Sequence, residues 1–246
     1  MNNMGLFGIF KSNKSKTHKG FHLLKVLSVD ALTKDTVKIV FEIPADLKSV
    51  YQFKAGQYVD LIADINGKEE RRSYSICSGE GEALSVAVKK VGKGLFSNWI
   101  AQSLQTGMEM QVSVPHGNFI LDDQSKNVVA IAAGSGITPI LSIAKAIEKR
   151  GGNLRLFYGN RTKDSIIFKN ELEALQHTFV TWFLSGENAE GFESGRIDKD
   201  NFILTVKADL SLLRADAYYI CGPEEMIVAD AESADKNSNE QSSLPW

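Results

Sequence analysis

Residues Val128–Pro139 read VVAIAAGSGITP, a continuous apolar run followed directly by a glycine-rich turn. The apolar run over Val128–Ala133 predicts a parallel strand that is buried on both faces. A helix is predicted over Pro139–Lys149, because proline suits the first turn of a helix. A strand, a tight turn and a helix in this order predict one unit of a doubly wound parallel α/β sheet.

The chain downstream continues the alternation of apolar strands and helices. We predict a strand over Leu154–Tyr158, a helix over Phe168–Gln176, and strands over Phe179–Leu184 and Ala217–Cys221. These elements place an α/β domain at residues 125–227. Residues 228–246 are polar and acidic without periodicity, so they are predicted to be disordered. Because the last strand would normally lead into a full helix, we interpret this end of the sequence as a frameshift or a truncation.

Upstream of residue 125 the chain is predicted to form short strands separated by turns. Val37–Glu42, Tyr58–Ala63 and Leu84–Lys90 alternate and are rich in β-branched residues, with Gly and Pro between them. Regular spacing of this kind predicts a β-barrel or a sandwich at residues 21–124. Gly94–Gln105 interrupts it with helical periodicity. Residues 1–20 carry four lysines and no acid, and they are predicted to be a flexible basic arm.

The composition of the 246 residues is that of a globular protein, with 43% hydrophobic and 24% charged residues. No apolar run is long enough to span a membrane, so a cytoplasmic location is predicted. A net charge of −2 argues against generic binding of nucleic acid. Cys77 and Cys221 are too few for a metal cluster site, and a disulfide between them is not expected in the cytoplasm.

The first chemical signal is Arg72-Ser73-Tyr74-Ser75 (RSYS), followed by Lys93–Asn98 (KGLFSN). A tyrosine ring can lie against a flat flavin. An arginine two residues earlier on a strand points to the same side and can pair with a pyrophosphate. Gly94–Ser97 opens a helix, so its free backbone N–H groups favour a phosphate. Ser75 is placed to reach the redox edge of the flavin. The alternative interpretation of Tyr74 is an ordinary aromatic residue of a strand, without a role in binding.

Two further signals follow parallel strands. Gly134-Ser135-Gly136-Ile137-Thr138-Pro139 lies between a strand and a helix, where glycines permit a tight turn and close approach to a dinucleotide pyrophosphate. Cys221-Gly222-Pro223-Glu224-Glu225-Met226 follows the last parallel strand, and ligands bind at the carboxyl ends of such strands. A buried structural cysteine is the alternative for Cys221. The histidines do not cluster in sequence and are interpreted as solvent-facing or structural: His18, His22, His116 and His177.

These motifs, in this order, resemble the ferredoxin–NADP reductase superfamily over about residues 21–227. Pro115–Phe119 (PHGNF), Tyr158–Thr162 (YGNRT) and Ser194–Asp198 (SGRID) are similar to one branch, the phenylacetyl-CoA epoxidase reductase subunits of phenylacetate degradation. The resemblance implies a six-stranded antiparallel Greek-key barrel that binds FAD, and an α/β domain that binds NADPH or NADH. Members of the branch usually continue with a [2Fe–2S] domain, whose four cluster cysteines this sequence lacks.

The resemblance also implies roles for individual residues. Arg72 and the Gly94–Ser97 backbone would hold the FAD pyrophosphate, and Tyr74 would stack on the isoalloxazine. Ser75 near flavin N5 and Cys221 beside the nicotinamide would flank the reacting atoms. The full predicted cofactor-binding set is Arg72, Ser73, Tyr74, Ser75, Val88, Lys90, Gly94, Leu95, Phe96, Ser97, Gly134, Ser135, Gly136, Thr138, Arg161, Cys221, Gly222 and Pro223.

The implied function is hydride transfer from NADPH or NADH to FAD, followed by transfer of single electrons to a ferredoxin-type or iron–sulfur acceptor, such as an oxygenase complex. Relatives that prefer NADPH often carry Ser-Arg after the third parallel strand, where this chain has Ser185-Gly186. Arg161 is the candidate to take the role of that arginine, and the preference between NADPH and NADH stays open. The alternatives are a regulatory or assembly subunit that binds FAD but has impaired nicotinamide binding, and a barrel that binds no flavin.

Overall fold

The computed structural model describes residues 18–223, apart from the side chains of Lys199, Asp200, Phe202 and Ala208. Most of the predicted basic arm, the whole of the predicted disordered tail and residues 224–226 of the third motif lie outside this range. Two sheets organise the described residues, one antiparallel and one parallel. Within them, no helix has both the length and the apolar character that crossing a bilayer requires.

Six strands form the first sheet. They are β1 (Phe21–Thr33), β2 (Thr36–Glu42), β3 (Tyr58–Ile65), β4 (Lys68–Ser75), β5 (Ser85–Lys89) and β6 (Glu109–Ser113). Their order is β4-β3-β6-β1-β2-β5, and every pairing is antiparallel. β6 returns to lie between β1 and β3, as in a Greek key. A bridge between Ile76 and Val86 brings the end of β4 to β5 and closes the sheet. The six-stranded antiparallel barrel is thereby confirmed.

The barrel core follows from the alternation of its strands. Val59 and Leu61 point inward from β3 and are completely buried, as are Leu24 and Val26 in β1. The helix α1 (Leu95–Ser103) covers one end of this core with Phe96 and Ile100. It begins directly after Gly94 and is two residues shorter at its C-terminal end than the periodicity predicts.

Five parallel strands form the second sheet. They are β7 (Asn127–Ala133), β8 (Asn153–Asn160), β9 (Thr178–Leu184), β10 (Glu193–Ser194) and β11 (Ala217–Cys221), and the helices are α2 (Ile137–Arg150), α3 (Lys169–Glu173) and α4 (Lys199–Ala208). The sheet order is β10-β9-β8-β7-β11. Leu154 and Leu156 share a core with α2, whereas Phe157 of the same strand shares a core with Val206 of α4. Helices therefore cover both faces, which confirms the doubly wound sheet.

Two differences from the predicted elements have local causes. Phe168 has a left-handed φ of 62°, so α3 begins only after it, and α3 ends at Glu173 instead of the predicted Gln176. β10 and α4 were not predicted, because β10 has two residues and α4 carries polar and apolar residues without a clear stripe. Cys77 and Cys221 are both free thiols, and Cys77 is completely buried.

Candidate functional site

A cleft of about 1730 Å³ lies between the barrel and the carboxyl ends of the parallel strands. One wall is formed by the end of β4, by β5 and by the start of α1. The other wall is formed by the turn after β7 and the loops after β8, β9 and β11. The predicted residues that line it are Arg72, Ser73, Tyr74, Ser75, Gly94, Leu95, Phe96, Ser97, Gly134, Ser135, Gly136, Thr138, Arg161, Cys221, Gly222 and Pro223.

The end of β4 presents Tyr74 to the cleft. Its ring packs against the barrel core, 6.0 Å from the centroid of the Phe96 ring, and it is half-buried. Burial raises the pKa of the Tyr74 phenol to about 12, so the group stays protonated at neutral pH. A half-buried aromatic ring at a cleft wall is a suitable surface for stacking a flat ring system.

Arg72 and Ser73 have partners within the barrel. Nη2 of Arg72 lies 3.1 Å from a carboxylate oxygen of Glu70 on the same face of β4. Arg72 is half-exposed, so this ion pair is weak and a phosphate can displace it. The Ser73 hydroxyl points away from the cleft and donates to Asp60 at 2.5 Å. Ser73 thus contributes wall surface, while its hydroxyl is already committed.

The loop that precedes α1 is held by two side chains of that helix. Ser97 Oγ accepts a hydrogen bond from the Val91 N–H at 3.2 Å, and Asn98 Nδ2 donates to the carbonyls of Val91 and Gly94 at 2.9 and 2.7 Å. No side chain caps the helix N-terminus at Gly94, so its first N–H groups remain available to a phosphate. Ser97 was predicted to bind the pyrophosphate through its backbone N–H and its hydroxyl. The backbone role stays a prediction, whereas the hydroxyl is already used to fix the loop.

Val88 and Lys90 differ from the prediction. Val88 is 1% exposed and packs in the barrel core, and Lys90 lies outside the cleft wall. Successive side chains of a strand point to opposite faces. Ala87 and Lys89 therefore occupy the cleft face of β5, and the prediction is corrected by one residue for both side chains.

The turn after β7 is shaped by its glycines. Gly134 has a left-handed φ of 53°, and Gly136 lies directly against the backbone of Cys221. A Cβ at position 136 would stand 2.9 Å from the Gly222 nitrogen, so only glycine fits there. No side chain caps the start of α2, but a 3-10 turn over Gly134–Gly136 precedes it, and the Ile137 N–H already donates to the Gly134 and Ser135 carbonyls. A pyrophosphate would therefore meet the N–H groups of the glycine turn.

The carbonyl of Gly134 is held from behind by Tyr158. The hydroxyl of this completely buried tyrosine donates to the Gly134 oxygen at 3.0 Å. Burial also raises the pKa of Tyr158, so the hydroxyl keeps its proton. On the other side of the turn, Thr138 Oγ1 donates to the Ser135 carbonyl at 2.9 Å. Both bonds draw carbonyl groups inward, which favours amide groups at the cleft surface.

Cys221 borders the same turn at the end of β11. Its side chain is partly buried, and burial raises the pKa of the thiol, so it is neutral at pH 7. A neutral small side chain suits a border for a ring stack and does not suit a nucleophile. Gly222 and Pro223 continue this edge of the cleft.

Arg161 and Gly186 fit together at the far end of the cleft. A Cβ at position 186 would lie 2.7 Å from Cγ of Arg161, so the glycine leaves room for the arginine stem. Arg196 lines the same cleft, and within residues 18–223 neither guanidinium forms an ion pair. Asn160, at the end of β8, is 8% exposed, and its Nδ2 has no partner in this range. These donors suit a phosphate-bearing ligand.

Several cleft residues were not predicted. They include Lys34, Asp35, Ala87, Val91, Arg196 and Ile197. Lys34 and Asp35 belong to the tight turn between β1 and β2, which nothing in the local sequence places near the second sheet. Arg196 lies in the SGRID motif, so the resemblance could have indicated it.

The residues present fit FAD and a nicotinamide dinucleotide. The cleft offers a stacking tyrosine, one uncapped helix N-terminus on each wall, and a glycine turn that a Cβ would fill. This arrangement defines an oxidoreductase with a FAD-binding barrel and an NAD-binding parallel sheet. Family models for the oxidoreductase FAD-binding domain and NAD-binding domain match residues 23–120 and 130–232. The chain belongs to the ferredoxin–NADP reductase superfamily.

Its curated relatives include reductase components of oxygenases. The chain is 37% identical over 227 residues to a subunit of the 1,2-phenylacetyl-CoA epoxidase of Escherichia coli (strain K12), across 87% of this chain and 63% of that protein. It is 33% identical over 227 residues to the reductase component of propane 2-monooxygenase of Mycolicibacterium goodii, with the same coverages. The chain thus spans less than two thirds of the length of these relatives.

Solved structures share the fold at lower identity. A ferredoxin NADP+ reductase from Neisseria gonorrhoeae with bound FAD and NADP superimposes with a TM-score of 0.74 at 23% identity, over 89% of this chain and 92% of that one. The cytochrome b5 reductase domain of Ulva prolifera nitrate reductase gives a TM-score of 0.70 at 22% identity, over 89% and 94%. The similarity extends through both sheets.

Proposed function

We propose that this chain is the FAD-binding, NAD(P)H-oxidising module of an electron-transfer system that serves an oxygenase. The observation that carries the proposal is the shared cleft, in which Tyr74 and the start of α1 face the glycine turn and Cys221. When bound, FAD accepts a hydride from the reduced nicotinamide and releases electrons one at a time. The proposal includes a barrel domain at residues 21–124 and an α/β domain at 125–227.

The side chains position ligands and transfer no proton. Arg72 and the first N–H groups of α1 would neutralise the FAD pyrophosphate, and Tyr74 would support its ring system. The N–H groups of the Gly134–Gly136 turn before α2 would hold the nicotinamide dinucleotide. Ser75 would donate a hydrogen bond at the redox edge, and Cys221 would border the nicotinamide. Holding two rings in a fixed relation is the main catalytic contribution expected from such a site.

The charges at the far end of the cleft favour NADPH over NADH. Arg161 and Arg196 both face the cleft, and a 2′-phosphate would give them the anionic partner that they lack within residues 18–223. The Ser185-Gly186 pair supplies no charge of its own. Arg161 instead passes over Gly186 and takes the position that a longer side chain would occupy there.

The acceptor is proposed from the relatives. Proteins that match this chain are named as reductase components of propane 2-monooxygenase and 3-ketosteroid-9-alpha-monooxygenase, and as a subunit of phenylacetyl-CoA epoxidase. We therefore infer an iron–sulfur or ferredoxin-type acceptor in an oxygenase system, with phenylacetate degradation as the specific candidate. The chain itself has two cysteines, so the acceptor is a separate protein or domain.

Anaerobic titration tests the proposal. Purified protein is reconstituted with FAD, and NADPH or NADH is added in separate experiments while the flavin absorbance at about 450 nm is followed. Bleaching within seconds is expected, with NADPH effective at the lower concentration. Retained colour without bleaching would favour a subunit that binds FAD but does not turn over. A protein that rejects FAD would overturn both interpretations.

A further inference from the structure

The segment that follows β4 attaches the barrel to helix α2. Ser142 Oγ of α2 donates to the Ser78 carbonyl at 2.7 Å, and both residues are buried. One turn further along the helix, Lys145 Nζ lies 2.9 Å from a carboxylate oxygen of Glu82. We call these four residues, Ser78, Glu82, Ser142 and Lys145, the interdomain latch.

Two further ion pairs extend the latch. Lys145 also lies 3.5 Å from Glu171 of α3, and Glu171 is 3.2 Å from Lys38 of β2. Lysines and glutamates from the two domains thus alternate across the contact. Lys145 and Lys38 have side-chain exposures of 18% and 21%, whereas Glu82 is 51% exposed, so solvent screens the Glu82–Lys145 pair mainly from the side of the carboxylate.

The charge states reinforce this contact. Burial by itself lowers the pKa of Lys145, but the hydrogen bond to Glu82 and the charges of Glu82 and Glu171 outweigh it, so the pKa is raised. Burial raises the pKa of Glu82, but the hydrogen bond from the Gly79 N–H and the bond from Lys145 reverse the direction and lower it. Both partners therefore stay charged across the neutral pH range.

Apolar packing beneath the charges makes the contact close. Cys77, Ala55 and Ala87 of the barrel belong to the same core as Ile140 and Leu141 of α2. A Cβ at Gly79 would lie 3.3 Å from Cβ of Lys145, so this backbone runs directly along the helix. Small barrel residues thus allow α2 to approach, and the latch determines its position along the contact.

We propose that the interdomain latch positions the start of α2 relative to the end of β4, and so sets the separation of the two ligands across the cleft. Ser78 is three residues after Ser75, and Ser142 is five residues after the start of α2 at Ile137. Displacement is transmitted over such short distances with little loss, because α2 is internally hydrogen-bonded and the Ile76 and Cys77 N–H groups are bonded to the Gln57 and Ser85 carbonyls. Lys145 and Glu82 are accordingly positioning residues for hydride transfer.

The inference rests on the proposed function, and it predicts a specific kinetic effect. A shift of the two ring systems relative to one another changes the transfer rate far more than the affinity of either ligand, because each ligand is held by its own wall. Loss of the Glu82–Lys145 pair should therefore lower the rate of flavin bleaching at saturating NADPH by about ten-fold. FAD content and the KM for NADPH should change less than about two-fold.

A double-mutant cycle provides the test. Glu82→Gln removes the charge but keeps an oxygen for the Gly79 N–H, and Lys145→Met keeps the aliphatic stem. If the two act through one contact, the double variant should be no slower than the slower single variant. The matched control is Lys169→Met with Glu173→Gln, an ion pair within α3 that does not reach the barrel. Additive rate losses, or equal losses in the control, would overturn the proposal.

A structural readout separates this inference from the proposed function. Hydrogen–deuterium exchange of residues 76–84 and 137–145 is measured on FAD-loaded protein without nucleotide. Exchange in both segments should rise by about ten-fold in Glu82→Gln and Lys145→Met, and stay unchanged in the control. Unchanged exchange would overturn the latch even if the wild-type protein reduces its flavin. Wild-type protein that binds FAD without bleaching would overturn the reductase, while the exchange data would still test the latch.

Discussion

Gly136 lies against the backbone of Cys221, so that a Cβ at position 136 would stand 2.5 Å from the Cys221 carbonyl carbon. The contact joins the turn after β7 to the end of β11, the neighbouring strand. The glycine motif that begins at Gly134 and the motif that begins at Cys221 thereby form one continuous surface. Their fit depends on backbone atoms, which cannot move aside as a flexible side chain can.

Gly136→Ala should therefore damage nucleotide binding selectively. The added methyl group must push the turn away from β11, and the N–H groups of the Gly134–Gly136 turn move with it. We expect the KM for NADPH to rise by at least about ten-fold, with FAD content near that of the wild type. Steady-state reduction of a dye measures the KM, and Gly92→Ala is the control because nothing lies within 4 Å of its Cβ. An unchanged KM would contradict this account.

Tyr158→Phe tests the hydrogen bond behind the same turn. The variant keeps the buried ring and removes the donor to the Gly134 carbonyl. Losing one buried hydrogen bond costs about 1 kcal/mol or slightly more, which corresponds to a rise of about five- to ten-fold in KM for NADPH. Tyr218→Phe is the matched control, because the Tyr218 hydroxyl bonds the Leu212 carbonyl away from the cleft. Equal effects of the two variants would show that the turn is not what Tyr158 supports.

Asp60→Asn should destabilise the barrel and weaken FAD retention. Asp60 is 2% exposed and accepts hydrogen bonds from Arg71, Ser73 and His116, at 2.5, 2.5 and 3.1 Å. Ser73 stands between Arg72 and Tyr74, so loosening it disturbs both. We expect a loss of about 2–3 kcal/mol in the free energy of unfolding. Chemical denaturation measures it, and the exposed Asp64→Asn on the same strand should lose less than about 0.5 kcal/mol.

The carboxylate of Asp60 should also make the stability of the folded protein depend on pH in the acid range. Burial by itself raises the pKa of Asp60, but hydrogen bonds from Ser73 and Arg71 outweigh it and lower the pKa below the 3.8 of an ordinary aspartate. The stabilisation is therefore present above about pH 4 and is lost as the pH falls through the lowered value. Thermal unfolding of the wild type between about pH 6 and pH 3 should show this loss. Asp60→Asn should flatten it, and parallel curves would refute the assignment.

Arg161→Gln tests the phosphate end of the cleft. The change removes a charge that faces the cleft beside Gly186. The KM for NADPH should rise by about ten-fold or more while the KM for NADH changes less than about two-fold. Arg155→Gln in β8 is the control, because Arg155 pairs with Asp209 and does not line the cleft. An equal rise for both nucleotides would show that Arg161 does not read the 2′-phosphate.

The two domains, the order of the longer parallel strands and most residues that line the cleft could be predicted from the sequence. VVAIAA and the glycines after it indicate a buried strand and a phosphate turn by local rules alone. RSYS and KGLFSN carry a spacing that few other folds require. Such features depend on residues close together in the chain, where propensity, alternation and backbone freedom act directly.

Other features were decided only by the tertiary structure. On β5, the side chains that meet the cleft are those of Ala87 and Lys89 instead of Val88 and Lys90. The alternation of a strand predicts two faces, but it does not say which of them the second sheet approaches. The Gly136–Cys221 contact and the interdomain latch join residues between 60 and 90 positions apart. Contacts of that kind follow from the packing of whole elements, which no local pattern encodes.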